Sequence, residues 1–189
     1  GVNASLDATE KITVRSGYEE FRDASGKSER EASAEVDYEI SEYLKATIGL
    51  KHVDINTPRG LARENGSHTD VAAQLTYSPD DDNSLYVFGQ ASMAHSGGME
   101  RNDRMGVGGD IRLTEKLGAS GELSYGTSGL GALAALTYDP TADDHYYTGY
   151  RLDPSRLKTD AILDGIDLGG IVVGARRKYD DLLSGFAEN

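Results

Sequence analysis

Residues 32–51 read ASAEVDYEISEYLKATIGLK, and they carry the clearest structural pattern in the chain. From residue 32 to residue 40, apolar or aromatic residues alternate with serine and carboxylates. The alternation returns over residues 44–50, after a short polar stretch at 41–43. A period of two marks a β-strand with two different faces. The stretch therefore predicts an antiparallel hairpin with one apolar and one polar face.

The same pattern runs through most of the chain. Further alternating segments lie at 2–8, 12–18, 71–77, 85–93, 105–113, 117–125, 130–138, 146–152, 170–176 and 182–188. We therefore predict about twelve strands of about 7–11 residues, the length that a tilted strand needs to cross a bilayer. The predicted fold class is all-β, an antiparallel up-and-down transmembrane β-barrel.

The connections between these segments alternate between short and long. The short ones lie at 9–11, 41–43, 79–84, 114–116, 140–144 and 180–181, and carry turn formers such as Thr-Glu-Lys and Ser-Pro-Asp. The long ones lie at 21–28, 54–69, 94–102 and 153–169, with a tight exception at 126–129. Outer-membrane barrels have short turns at one end and elaborated loops at the other, whereas sandwiches place crossovers at both ends.

Composition excludes several classes of protein. The 189 residues are enough for one domain, and the absence of cysteine excludes disulfides and thiolate metal sites. A formal net charge of −13 argues against nucleic-acid binding. The longest apolar runs, such as 133–136 and 171–173, are far shorter than a transmembrane helix. A mean hydropathy of −0.50 suits a soluble protein and a barrel equally.

Tyrosine clusters at one end of the predicted meander. Most of the eleven tyrosines lie within a few residues of the short connections, as expected of an aromatic girdle at a membrane interface. Tyr18, Tyr125 and Tyr150 lie toward the other end. The residues assigned to the girdle are Tyr38, Tyr43, Tyr77, Tyr86, Tyr138, Tyr146, Tyr147 and Tyr179.

A resemblance points the same way. The stretch DRMGVGGDIRLTEKLGASGELSYGTSGLGALAALTY at 103–138, followed by HYYTGYRLDP from His145, resembles barrel segments of large proteobacterial outer-membrane proteins. The likeness lies in the succession of strand, Leu-Thr-Glu-Lys turn, strand, Gly-Leu-Gly turn and strand. It implies a barrel fold and a location in the outer membrane of a Gram-negative bacterium. It supplies no catalytic residue.

Charged residues of both signs fall on the polar face of the predicted strands. This lining is interpreted either as a polar pore constriction or as a network of ion pairs that fills the lumen. The candidate pore-lining residues are Arg15, Glu35, Asp37, Lys45, Lys51, Arg104, Asp110, Arg112, Glu122, Arg151 and Arg176.

Histidine provides the one enzyme-like pattern. His52, His68 and His95 are predicted at the elaborated rim, with Asp54 and Asp70 nearby, where a histidine could act as a general base or bind a metal. The run Asp80–Asn83 is interpreted as an acidic turn rather than a calcium loop, because it lacks spaced ligands. Gly106, Gly108 and Gly109 are interpreted as a bend or bulge that lets the sheet curve.

The leading hypothesis is an outer-membrane pore or membrane anchor, for small polar solutes or an attached domain. Under this hypothesis we expect no enzymatic activity, and no cofactor or metal. We expect residues 1–189 to form one β-barrel domain or a segment of a longer barrel or chain. The expected partners are outer-membrane lipid and any further strands or domains of the same polypeptide, and not nucleic acid. The alternatives are a rim hydrolase and a soluble β-rich binding module.

Overall fold

The computed structural model describes residues 1–24, 26–57, 65–99, 101–127, 129–152, 171–179 and 184–188. Their regular structure is a single antiparallel sheet of twelve strands, in which each strand pairs with its neighbours in the sequence. The predicted all-β, up-and-down meander is confirmed. The strands are β1 (Val2–Thr9), β2 (Ile12–Arg22), β3 (Ser28–Ser41), β4 (Leu44–Asn56), β5 (Gly66–Tyr77), β6 (Ser84–His95), β7 (Arg104–Thr114), β8 (Leu117–Gly126), β9 (Gly129–Tyr138), β10 (Asp144–Leu152), β11 (Ile171–Lys178) and β12 (Ser184–Glu188).

The two faces of the sheet differ sharply in exposure. Val36 and Ile48, which pair across β3 and β4, are 41% and 58% exposed. Asp37 and Thr47 pair across the same strands, on the opposite face, and are only 4% and 2% exposed. We call the face that carries Asp37 and Thr47 the inner face, and the face that carries Val36 and Ile48 the outer face.

The inner face is predominantly polar, and the outer face is predominantly apolar. Its buried polar side chains are Asp37, Thr47, Asp70, Gln90, Ser92, Arg104, Glu122 and Ser124. Leucine, valine, isoleucine and methionine side chains along β3 to β11 are exposed on the outer face. Because no second layer covers the sheet in the described part of the chain, its own curvature must bury the inner face. A water-soluble core has the opposite arrangement.

Three of the short turns share one design. The hydroxyls of Thr9, Ser41 and Thr114 each accept a hydrogen bond, of 3.2–3.3 Å, from the backbone N–H two residues later. Each turn has a glutamate in its second position, and a register shift lies beside each one. A side-chain hydroxyl that bonds its own turn stabilises a tight connection, so these sequences close hairpins locally.

The strands reach further into one predicted loop than expected. The alternation predicted a loop over 54–69, but β4 continues to Asn56 and β5 begins at Gly66. Past Lys51 the outer face of β4 becomes polar at His52 and Asp54, while Val53 is buried on the inner face. β4 stays paired with its neighbours although its outer face is no longer apolar. A prediction that requires one continuous apolar face therefore ends this strand too early.

Six of the eight tyrosines assigned to the girdle are exposed at the short-turn end, namely Tyr38, Tyr43, Tyr77, Tyr138, Tyr146 and Tyr179. The assignment was wrong for Tyr86, which is buried on the inner face. It was also wrong for Tyr147, the cross-strand partner of Gly174, which lies on that face too. Proximity to a turn placed these two rings at the correct end of the sheet, but the parity of their positions puts them inside.

The sheet has two free edges in the described residues. β1 pairs only with β2, and β12 pairs only with β11.

The tight connection before β9 depends on Gly129, whose φ is +94°, a backbone conformation that side chains disfavour. In the described part of the chain, no helix is long and apolar enough to cross a membrane.

Candidate functional site: the inner face

A charge cluster lies on the inner face of β2, β3 and β4. Nη1 of Arg15 lies 2.6 Å from Oε1 of Glu35 and 2.7 Å from Oδ2 of Asp37. The hydroxyl of Thr47 donates a 2.6 Å hydrogen bond to Oδ1 of Asp37. One guanidinium therefore holds two carboxylates, and these three side chains together keep a negative charge.

Further carboxylates line the same wall in both directions. We call the end of the sheet that carries the longer connections the elaborated end. Toward this end, Lys51 Nζ lies 2.7 Å from Glu31, and Glu19 is the direct cross-strand partner of Glu31. Toward the short turns, Lys45 is the direct cross-strand partner of Glu39. The register places the following carboxylates on the inner face of β1 to β3: Asp7, Glu19, Glu29, Glu31, Glu35, Asp37 and Glu39. The inner-face cations of β2 and β4 are Arg15, Lys45 and Lys51.

On β6 and β7, aromatic rings lie over glycines. Phe88 pairs with Gly106 and Tyr86 pairs with Gly108. A methyl group on Gly106 would stand 2.6 Å from the Phe88 ring, and one on Gly108 would overlap the Tyr86 ring. The Tyr86 hydroxyl crosses β7 and donates a 2.9 Å hydrogen bond to Glu122 on β8. Glycine here makes room for a neighbouring ring.

This arrangement corrects the interpretation of the β7 glycines as a bulge. The pairing of β6 with β7 runs without a register shift from Ser84 to Gln90. Against β8, the register shift of β7 lies between Arg112 and Thr114, away from the glycines. The same use of glycine recurs on β10 and β11, where a methyl group on Gly174 would overlap the ring of Tyr147.

Arg104 lies along the wall in the same manner. Its Nη1 donates a 2.9 Å hydrogen bond to Ser124 on β8, and a methyl group on Gly131 of β9 would overlap the guanidinium. Nearer the short turns, the Ser84 hydroxyl donates a 3.0 Å hydrogen bond to Asp110. Side chains on this part of the inner face therefore bond to the adjacent strand.

At the elaborated end, the connection between β6 and β7 is tied to the inner face. The Ser92 hydroxyl donates to Asp70 at 2.7 Å and accepts from the Asn102 N–H at 2.8 Å. The Ser92 N–H donates to Asp103 at 2.9 Å, and the Asp103 N–H donates to Thr127 at 3.1 Å. These bonds hold the segment before Arg104 against β6 and against the turn between β8 and β9.

At the short-turn end, Asp139 contacts both Arg112 and His145. Nη1 of Arg112 lies 3.4 Å from Asp139 Oδ2, and Nη2 donates a 3.0 Å hydrogen bond to the Glu115 carbonyl. Nδ1 of His145 lies 2.5 Å from Asp139 Oδ1.

The nearby Asp80 carboxylate accepts hydrogen bonds from the Asp82 N–H and the Asn83 amide. These bonds make an acidic turn.

The candidate pore-lining residues are placed as follows. The register puts Arg15, Glu35, Asp37, Lys45, Lys51, Arg104, Asp110, Arg112, Glu122 and Arg176 on the inner face. Arg176 is exposed near the β12 edge. The backbone of Arg151 belongs to β10, and its side chain lies outside the described part of the structure. Whether these residues line a conducting pore stays a prediction.

The five residues of the predicted rim site are divided between the two faces. His68 Nε2 lies 3.4 Å from Asp70 Oδ2, and His95 is the cross-strand partner of His68, so these three lie inside. His52 and Asp54 lie outside, where Nδ1 of His52 is 2.8 Å from the Thr69 hydroxyl oxygen. Among the described residues, no group of three or more histidine, aspartate or glutamate side chains is placed to hold a metal ion.

The aromatic side chains of the inner face were not predicted as part of its lining. Tyr86, Phe88 and Tyr147 occupy inner positions of the alternation, but their apolar rings concealed this role. A usable signal existed, since the strand after β6 carries Gly106 and Gly108 at matching inner positions.

A single meander sheet with an apolar outer face and a polar inner face is the architecture of a transmembrane β-barrel. No family model matches the chain, and no curated protein matches it. Among solved structures, the fold is similar to "KdgM porin in complex with disordered oligogalacturonate", with a TM-score of 0.51 and 14% sequence identity. The match covers 79% of this chain and 81% of the porin chain. The fold is therefore that of a porin β-barrel.

Proposed function

We propose that this protein forms a channel for small polar solutes in a bacterial outer membrane. The observation that carries the proposal is the distribution of side chains on the sheet. Apolar side chains are exposed on the outer face, whereas Asp37, Arg104 and Glu122 are buried on the inner face. Lipid would cover the outer face, and water and solutes would meet the inner face. The porin-like fold supports this assignment.

The outer face also carries a continuous apolar band, as a membrane barrel does. On β6, outward residues from Leu85 to Met93 are apolar, which spans about 26 Å along the strand and about 20 Å across a bilayer at barrel tilt. Exposed tyrosines border this band at the short-turn end. At the other end, Arg30 lies 3.6 Å from Glu20 on the outer face of β2 and β3. We assign the short turns to the periplasm and the longer connections to the outside.

The porin in the matching structure is complexed with an oligogalacturonate, which is a polyanion. A polyanion is not the solute expected here, because carboxylates outnumber cations on the inner face of β1 to β4. The proposed solute class is small and polar.

The test is insertion followed by conductance. The full chain is refolded in detergent micelles, checked for a heat-modifiable band on a gel, and added to planar bilayers. A channel gives the gel shift and discrete conductance steps. A chain that shows the shift but no conductance is a membrane anchor, and one that stays soluble and monomeric without detergent is not a membrane protein. Either result contradicts the proposal.

A further inference from the structure

The charges on the inner face of β1 to β4 do not balance. We infer that the channel prefers cations to anions, and that the carboxylates of β2 and β3 set this preference. The inference rests on the proposed channel function and adds the charge of the solutes that pass. Excess carboxylates along a pore wall attract cations and repel anions.

The cations of this wall are matched by carboxylates at close range. Arg15 contacts both Glu35 and Asp37, and Lys51 contacts Glu31. A cation matched in this way has little net effect on an ion passing several ångströms away. The carboxylates in excess of these cations therefore determine the sign of the net charge on this wall.

The surplus is clearest near the elaborated end. Glu19 lies directly opposite Glu31, and like charges in this arrangement repel. Lys51 engages Glu31, and Lys27 lies 3.6 Å from Glu29. In the residues that the structure describes, Glu19 has no cationic side chain within ion-pair distance. Glu19 therefore adds a carboxylate to this mouth of the channel that none of the described cationic side chains neutralises.

The charged side chains on the rest of the inner face do not reverse the sign of this net charge. Over the described strands β5 to β11, the inner-face charges are mixed and largely engaged in local hydrogen bonds or ion pairs. They comprise the acids Asp70, Asp110 and Glu122 and the bases Arg104, Arg112, Arg176 and Lys178. With β1 to β4 included, carboxylates outnumber cations among the described inner-face side chains.

The expected effect of one charge is measurable. A unit charge about 8 Å from a passing ion, acting through water, changes the local concentration of that ion by about twofold. Salt screens this effect over about 10 Å at 0.1 M and about 3 Å at 1 M. We therefore expect a preference that is clear at low salt and small at high salt.

Two adjacent residues provide a matched pair of variants. Glu19 and Glu20 are neighbours on β2 and point to opposite faces. Glu19→Gln and Glu20→Gln make the same chemical change, but only the first removes a charge from the inner face. Glu31→Gln removes a second inner-face carboxylate.

The experiment measures the ratio of potassium to chloride permeability, from reversal potentials of the full chain in planar bilayers under a potassium chloride gradient near 0.1 M. We expect a ratio above one, a decrease of about twofold in Glu19→Gln and Glu31→Gln, and no change in Glu20→Gln. A wild-type ratio of one or less, or equal decreases in Glu19→Gln and Glu20→Gln, overturns the inference and leaves the channel intact. An inserted chain that never conducts overturns the channel function and the inference together.

Discussion

The hydroxyl of Tyr86 on β6 donates a 2.9 Å hydrogen bond to Oε2 of Glu122 on β8, and its ring lies over Gly108 on the intervening strand β7. One side chain thus spans three strands of the inner face. Glycine at position 108 makes the contact possible, because any larger residue would lift the ring away from the wall.

Removing the hydroxyl should weaken the folded barrel. We expect Tyr86→Phe to lower the free energy of unfolding by about 1–2 kcal/mol, because a buried hydrogen bond to a carboxylate is lost. Urea unfolding in detergent micelles, followed by circular dichroism, measures the change. Tyr77→Phe makes the same change on the outer face of β5 and should have little effect. Equal losses in both variants would contradict the role assigned to the inner hydroxyl.

Adding a methyl group to Gly108 should be costly. We expect Gly108→Ala to lower the unfolding free energy by about 1–3 kcal/mol, because the new methyl overlaps the Tyr86 ring. The matched control is Gly89→Ala on β6, where no atom lies within 4 Å of the added methyl. That change should be neutral or slightly stabilising. A tolerated Gly108→Ala would mean that the ring does not lie on this glycine.

A charge introduced on the outer face tests the membrane assignment. Ile48 and Asn56 both point outward on β4, the first within the apolar band and the second beyond it. We expect Ile48→Arg to cost about 2–4 kcal/mol of folding free energy in lipid vesicles, and Asn56→Arg to cost about 0–1 kcal/mol. The folded fraction on a heat-modifiability gel, titrated with urea, gives both values. In a soluble protein, a side chain as exposed as Ile48 would tolerate arginine, so equal behaviour would contradict the membrane assignment.

The hydroxyl-closed turns can be tested at Thr114. Its Oγ1 accepts hydrogen bonds from the backbone N–H groups of Lys116 and Leu117, at 3.2 Å and 3.0 Å. We expect Thr114→Val to lower the unfolding free energy by about 0.5–1.5 kcal/mol, because a local hydrogen bond to the turn is lost. Thr148→Val, on the exposed outer face of β10, is the control in the same urea titration. Retained stability in Thr114→Val would show that backbone pairing alone closes this hairpin.

Several features of the fold could be predicted from local sequence. The alternation around Val36 and Ile48 indicates two strands and their two faces, because successive side chains of a strand point to opposite sides. Short turns such as the one at Thr114 are equally local. The extension of β4 from Asp54 to Asn56 was missed, since its outward residues His52 and Asp54 no longer carry the apolar signal on which the prediction depended.

The candidate site depended more on tertiary structure. The histidines of the predicted rim site are near one another along the meander, but His52 faces out and His68 faces in. The register decides this division, and a one-residue change of register would reverse it. The proximity of Tyr86 to Glu122, two strands away, likewise depends on how β6, β7 and β8 align.

The amino-acid sequence alone established the strands, their order as a meander and the apolar side of each one, because each of these depends on residues close together in the chain. Tertiary structure decided which inner-face side chains meet. Arg15 holds Glu35 and Asp37, and Tyr86 reaches Glu122 over Gly108. These contacts join residues on different strands, so the register and curvature of the whole sheet bring them together.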